Sequence, residues 1–229
     1  MIGSKRISLD PRLSMIADMV GRCKRYADIG CDHGRLGAFL LQRGWVEEAL
    51  LTDISEASLE KARKLISMLG YQDRVQFWVG DGVNGLPASV DTVVIAGMGG
   101  VTAADIIDRG RGNLGQSRLI LQVNVAQAEL RARLVNAGYR ISEEKIVRDG
   151  RRYYVIMEAV PGTAEYSPQE LHVGPVLLKT RPELLDGYVR YRLGVAKKAL
   201  DGARFGSQSH AIRALEEEIS IWEGALACL

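Results

Sequence analysis

The stretch Tyr26-Ala27-Asp28-Ile29-Gly30-Cys31-Asp32-His33-Gly34 does most to limit what this chain can fold into. Apolar residues lead into an acid, two glycines follow, and a helical pattern with Leu36, Leu40 and Leu41 begins at once. Glycine takes backbone angles that side chains forbid and lets a ligand approach the main chain. A helix start offers unpaired N–H groups and the positive end of a dipole to an anionic group. Together these read as a first strand, a tight turn and a helix N-terminus, the ligand turn of an open α/β sheet. An ordinary strand-to-helix turn carries the same glycines, so the remaining chain must discriminate.

The dinucleotide fingerprint G-x-G-x-x-G would need glycine where Asp32 and Arg35 stand. What remains, Asp28-x-Gly30-x-x-x-Gly34, is closer to the S-adenosylmethionine turn of class I methyltransferases, where the strand-end acid sits near the amino-acid part of the cofactor. Two more strand ends carry acids. A strand over 48–52 closes at Asp53, and a strand over 74–79 runs into Gly80-Asp81-Gly82. A carboxylate at the end of the second strand can accept both ribose hydroxyls of an adenosine. Ser55 serves as N-cap of the helix over 55–69, which leaves Asp53 free for that task. Asp81 matches the place where class I methyltransferases touch the adenine amino group, and between glycines it equally suits a turn.

Farther on, the β-branched strand 91–95 enters Ala96-Gly97-Met98-Gly99-Gly100, with a helix from about 102. Glycines directly after a buried strand point to close backbone approach to a ligand. A fifth strand over 118–123 leads to Asn124 and a helix over 126–136. Strands over 139–148 and 152–159 flank Asp149-Gly150, a two-residue hairpin signal. The hairpin makes the last strand antiparallel, as in class I methyltransferases, whereas a nicotinamide-dependent dehydrogenase continues with parallel strands and crossover helices.

At the N-terminus Asp10 caps a helix with Pro11 at its first position, Leu13, Ile16, Ala17 and Val20 on one face, and Gly21 at its end. This helix is expected to cross the ligand cleft, where Arg12 either stays solvated, as most surface arginines do, or reaches a carboxylate or phosphate. The tail reads as a polar connector over 165–179, then a capping box at Thr180-Arg181-Pro182-Glu183. A helix follows to about 204 with Leu185, Tyr188, Tyr191, Val195 and Ala199 on one stripe, and Gly206-Ser207 breaks it. Ile212, Leu215, Ile219, Trp222 and Leu226 then repeat at coiled-coil spacing, so the two helices should pair antiparallel. Arg190, Arg192, Lys197, Lys198 and Arg204 make the first helix basic, and Glu216, Glu217 and Glu218 make the second acidic. Such charge either pairs internally on a solvated surface or grips an RNA backbone.

The length of 229 residues suits one α/β domain over 1–162 and a helical hairpin domain over 163–229. A net charge of +2 permits a nucleic-acid partner without requiring one. Cys23, Cys31 and Cys228 lack metal or redox spacing, so reduced thiols in the cytoplasm and no bound metal are expected. Neither a signal peptide nor a membrane-spanning run is evident, and no protein partner is inferred.

One family resemblance covers nearly the whole chain. Asp28-Ile29-Gly30-x-Asp32-His33, Ile95-Ala96-Gly97-Met98-Gly99-Gly100, Leu121-Gln122-x-Asn124 and Tyr153-Tyr154-x-Ile156 resemble the bacterial tRNA (adenine-22 N1)-methyltransferases, as do the Arg12-Leu13 helix and Gly174-Pro175. The family tends to have proline where this chain has Val123, which leaves the loop before Asn124 without a locked dihedral. The resemblance implies a Rossmann-like class I methyltransferase sheet, a C-terminal coiled-coil-like hairpin, S-adenosylmethionine as cofactor and tRNA as partner. Candidate cofactor contacts are Arg12, Asp28, Gly30, Gly34, Asp53, Ile54, Asp81, Gly82, Ala96, Gly97 and Met98. Asp32, His33, Met98 and Asn124 are expected near the acceptor, with His33 equally suited to a structural role. The alternatives are a methyltransferase for another RNA or a small molecule, a nicotinamide-dependent oxidoreductase, and an RNA-binding module without catalysis.

Overall fold

The computed structural model describes residues 6–84, 86, 90–205 and 209–229. Its strands are β1 (Cys23–Ile29), β2 (Val46–Asp53), β3 (Val75–Val79), β4 (Thr92–Met98), β5 (Arg118–Val123), β6 (Tyr139–Asp149) and β7 (Arg152–Pro161). They form one sheet in the order β3-β2-β1-β4-β5-β7-β6. The first five strands of that order pair in parallel, and β7 inserts antiparallel between β5 and β6. An antiparallel β7 removes the dehydrogenase reading. Asp149 pairs with Arg152, so the hairpin loop is Gly150-Arg151, one position later than expected. Gly150 there has φ +58°, the left-handed angle that the first loop residue of a tight hairpin needs.

Helices cover both faces because the parallel strands are apolar on both. Ala27, Ile29, Val93, Ile95, Leu119 and Leu121 face α4 (Gly100–Arg109) and α6 (Gln127–Asn136). Tyr26, Leu51, Val94, Ile120 and Ile156 face α1 (Pro11–Val20), α2 (Arg35–Gln42) and α3 (Glu56–Met68). Asp28 shares strand parity with Tyr26 and points to that second side. Sequence and structure agree on the caps of α1 and α3: Asp10 accepts from the Leu13 N–H at 2.7 Å and Ser55 from the Ser58 N–H at 3.3 Å. At the other end of α1, Arg118 donates to the Met19 and Val20 carbonyls and to Glu158, which satisfies orphaned acceptors and fixes the helix across the sheet. A short α5 (Arg111–Leu114) and a 3-10 turn (Gln72–Arg74) complete the connections.

The tail departs from expectation in two places. Residues 165–179 are not a plain connector: they hold α7 (Pro168–Val173) and most of α8 (Pro175–Thr180). The capping box is Ser167 with Glu170, while Thr180 ends a helix and bonds the Val176 carbonyl instead. The long helices α9 (Leu185–Phe205) and α10 (Ser209–Ala227) lie antiparallel, bridged by Arg192–Glu218, Lys197–Glu223 and Arg204–Glu216. Residues 206–208, where the break was expected, lie outside the described residues. The stripe on α9 is rotated from the expected one. Leu185, Tyr188, Val189, Ala196 and Leu200 are buried, whereas Tyr191, Val195 and Ala199 are exposed. The cause is packing against more than α10: Leu185, Tyr188 and Val189 share an apolar cluster with Ile146 and Val155 of the β6–β7 hairpin, Val173, Leu177 and Trp222. Among the described residues no helix is long and apolar enough to cross a membrane.

Candidate active site

The carboxyl ends of β1, β4 and β5 open into two adjoining clefts. The first, of about 310 Å³, is lined by Asp28, Gly30, Asp32, His33, Ala96 and Gly97 beneath Arg12 and Leu13 of α1. The second, of about 590 Å³, is lined by Asn124 and Val125 after β5, Tyr153 and Tyr154 of β7, and Tyr188 and Tyr191 of α9. Arg12 and Gly97 line both.

Asp28 is 5% exposed and no basic side chain among the described residues pairs with it. Burial raises its carboxyl from the ordinary 3.8 to about 7; the Tyr26 hydroxyl opposes that rise and the negative charge of Asp53 adds to it. A cation entering the cleft would relieve this penalty. Burial also pushes the Cys31 thiol far up, so no thiolate nucleophile forms there.

The turn around the cleft is built from left-handed residues. Gly30 has φ +74°, and a Cβ there would lie 3.2 Å from Met98 Cε. Gly34 has φ +66°, and its Cβ would meet Ala62 of α3 at 2.8 Å, so this glycine serves helix packing beneath the turn. Asp32 itself has φ +50°, and Asp53 stabilises that strained position by accepting its N–H at 3.0 Å. The other oxygen of Asp53 accepts the Ser55 N–H at 2.9 Å. Asp53 is therefore not free, as the sequence suggested; it anchors the rim of the first cleft and keeps one lone pair per oxygen for a ligand.

Asp81 is placed differently from expectation. Its carboxylate faces Arg109 of α4 at 2.6 Å, and that hydrogen bond holds its acid below the usual carboxylate range. Gly82 packs on Ile106, and Ile54 stands 76% exposed beyond Asp53. None of Gly34, Asp53, Ile54, Asp81 and Gly82 lines either cleft. Three strand-end acids thus do not converge on one cleft: Asp28 lines it, Asp53 borders it, and Asp81 turns to Arg109.

At the junction of the clefts a relay fixes the polar groups. Arg12 Nη1 donates to Gln122 Oε1 at 2.7 Å, Gln122 Nε2 to Asn124 Oδ1 at 3.1 Å, and Asn124 Nδ2 to the Gly97 carbonyl at 3.0 Å. The Asn124 N–H also donates to the Met98 carbonyl at 3.0 Å. These bonds hold Asn124 although Val123 lacks the ring of a proline. Gly100 is required nearby, since a Cβ would overlap the Ala126 carbonyl, whose own residue sits at φ +56°. His33 points elsewhere: its Nε2 lies 3.1 Å from Lys61 Nζ and 3.4 Å from Asp32 Oδ1, in the first cleft and not in the second. Sequence reasoning did not single out Gln122 or Arg152 for the site; a buried glutamine one residue before a strand end was the available signal for the first.

A family model described as "Methyltransferase domain" matches residues 9–157. The tRNA (adenine(22)-N(1))-methyltransferase of Bacillus subtilis is 30% identical over 183 residues, which is 76% of this chain and 77% of that protein. The chain belongs to this methyltransferase family. A putative tRNA methyltransferase of Mycoplasma pneumoniae is 30% identical over 209 residues, 86% of this chain and 94% of its own. Among solved structures, a putative tRNA (m1A22) methyltransferase of Streptococcus pneumoniae in complex with S-adenosyl-L-methionine has a TM-score of 0.84 at 26% identity, covering 96% of this chain and 100% of that one. The structural likeness, at 96% of this chain, reaches the α7–α10 region as well as the sheet.

Proposed function

We propose that this chain transfers a methyl group from S-adenosylmethionine to N1 of an adenine in tRNA, at position 22 by analogy with its relatives. The observation that carries the reading is the pair of clefts joined at Gly97 and Arg12, one ending on a buried, unpaired carboxylate and the other lined by tyrosines and arginine. The first suits a ligand with an ammonium group and the second a nucleobase. The donor supplies a methyl group on a sulfonium.

Adenine N1 would attack the methyl carbon with its lone pair as the carbon–sulfur bond breaks and the sulfonium leaves as a neutral thioether; N1 carries no proton, so positive charge passes to the base and no general base is needed. The contribution of this chain is alignment and placement of polar groups. Asp28 holds the ammonium end of the cofactor as an ion pair, and Asp53 offers its remaining lone pairs to the ribose. Asn124, fixed by Gln122 and the Gly97 carbonyl, presents its amide oxygen to the adenine N6 amino group. Ala96 lines the first cleft, and Met98, which lines neither cleft, packs its side chain against Gly30. Asp32 and His33 form the outer wall of the first cleft, and the Lys61 contact of His33 favours the structural role. Asp81 stays in its ion pair with Arg109 and takes no part in either cleft. N1 lies on the Watson–Crick edge, so the target must be unpaired or extruded before it enters. The sheet domain, residues 1–162, then holds the cofactor, and residues 163–229 contact the tRNA; the site of action is the cytoplasm.

Incubation of an unmodified tRNA transcript with labelled donor, followed by reverse transcription, tests this. Methylation at N1 blocks Watson–Crick pairing, so a single stop opposite adenine 22 is expected. Label in tRNA without such a stop would refute N1 as the acceptor, and a stop elsewhere would refute the position.

A further inference from the structure

The surface of α9 settles what kind of RNA contact the helical hairpin can make. Four of its five cations are already occupied: Arg190 pairs with Asp186 at 2.8 Å, Arg192 with Glu218 at 3.3 Å, Lys197 with Glu223 at 2.8 Å and Arg204 with Glu216 at 3.3 Å, which leaves Lys198. Paired cations release few counterions on meeting phosphate, so a backbone grip by this helix is weak. Beside the paired Arg192, what α9 exposes toward the second cleft is apolar. Tyr191 is 37% exposed and Val195 47%. Tyr153 of β7 neighbours the Tyr191 ring, centroids 5.5 Å apart, and the Arg148 guanidinium lies 5.6 Å from the Tyr153 centroid. Arg152, at the hairpin tip, lines the same cleft and has no ion pair among the described residues.

We propose that the second cleft holds an unpaired nucleotide flanking the target adenine, with its base on the Tyr191 ring and its phosphate on Arg152. The proposal rests on the tRNA reading above. A volume of about 590 Å³ exceeds what one base needs, so target and neighbour fit side by side. Extruding a base unstacks its neighbour, and an aromatic face recovers that lost stacking without reading sequence. The hairpin is then one wall of the acceptor site rather than a remote handle.

The test uses the full chain, an unmodified tRNA transcript, and both equilibrium binding and steady-state kinetics. Absence of methyl transfer by the unaltered chain would defeat the tRNA reading itself. Given that activity, Tyr191→Ala should weaken tRNA binding and raise the tRNA KM about 10-fold. Its salt dependence and its S-adenosylmethionine affinity should stay unchanged, the latter also reporting an intact fold. Tyr191→Phe, which keeps the ring, should restore tRNA binding to within about twofold, the ordinary scatter of a contact-neutral change. Val195→Glu, at an exposed position of the same wall, should weaken binding to a similar degree. Arg152→Gln should lower the slope of log affinity against log salt by about one phosphate contact. Tyr191→Ala or Val195→Glu binding like the unaltered chain, or Tyr191→Phe failing as Tyr191→Ala does, would overturn the stacking site; an unchanged slope for Arg152→Gln would overturn the phosphate contact.

Discussion

Burial brings the Asp28 carboxyl into the neutral pH range. It titrates at 3.8 in the unfolded chain and at about 7 in the fold. Between those values the folded state binds more proton than the unfolded one, so the contribution of Asp28 to stability falls as pH rises from about 4 to about 7. The full shift corresponds to about 4 kcal/mol at most. Asp28→Asn should therefore raise the melting midpoint of the ligand-free protein at pH 8, by roughly 5 °C, and change it little at pH 4. The same variant should lose roughly 50-fold in cofactor affinity, because the ammonium partner is gone. In the unaltered chain, calorimetry should show cofactor affinity increasing from pH 6 to pH 8 as Asp28 ionises. A flat profile would mean that Asp28 does not meet the ammonium. Asp53 is less suited to such a test, since Asp53→Ala also deprives the Asp32 and Ser55 N–H groups of their acceptor.

At the scale of elements, the junction of α6, β6, α7 and α8 depends on one ion pair with no exposure on either side chain. Arg131 Nε donates to Glu144 Oε1 at 2.9 Å, and Arg131 Nη1 also donates to the Leu171 carbonyl at 2.6 Å. Glu144 Oε2 accepts the N–H groups of Val176 and Leu177 at the start of α8. Gly174 is the hinge between α7 and α8, because a Cβ there would lie 2.6 Å from Glu144 Oε2. Glu144→Gln keeps an acceptor for α8 but strands a buried guanidinium, and should cost about 3 kcal/mol in denaturant unfolding. Adding Arg131→Met, which removes the stranded charge, should recover part of that loss; a double variant weaker than the single would contradict this account. From the start of α6, Gln127 extends the connection: it accepts from the Tyr188 hydroxyl at 2.6 Å and donates to the Val123 carbonyl at 3.4 Å, so α9 is bonded to the loop that carries Asn124.

For the whole molecule, the consequence is that the helical region is not a detachable handle. Removal of residues 166–229 exposes Ile146 and Val155 and strips Arg131 and Glu144 of their α7 and α8 partners. The truncated chain should melt roughly 10 °C lower than the full one. It should also lose tRNA binding while the first cleft, built entirely from residues before 98, still takes the cofactor at low temperature. A truncated chain that melts unchanged would separate the two regions energetically and weaken the idea of a shared acceptor cleft.

Local rules were enough for much of this protein. The strand order of events along the chain, the Asp10 and Ser55 caps, the glycine turn and the β6–β7 hairpin follow from short-range backbone sterics and hydrogen bonding, which neighbours in sequence determine. The buried positions of the strands follow from apolar runs, since a parallel sheet excludes water from both faces. Contacts between distant segments were beyond such rules. The orientation of Asp81 was decided by Arg109, the face of α9 by Ile146 and Val155, and the second role of Asp53 by the left-handed Asp32. The relay Arg12–Gln122–Asn124 joins α1 to β5 across most of the chain. Sequence determines which residues are available and how each segment bends; burial and pairing across the fold decide which of the charged groups are spent on ion pairs and which, like Asp28, stay buried without a basic partner among the described residues.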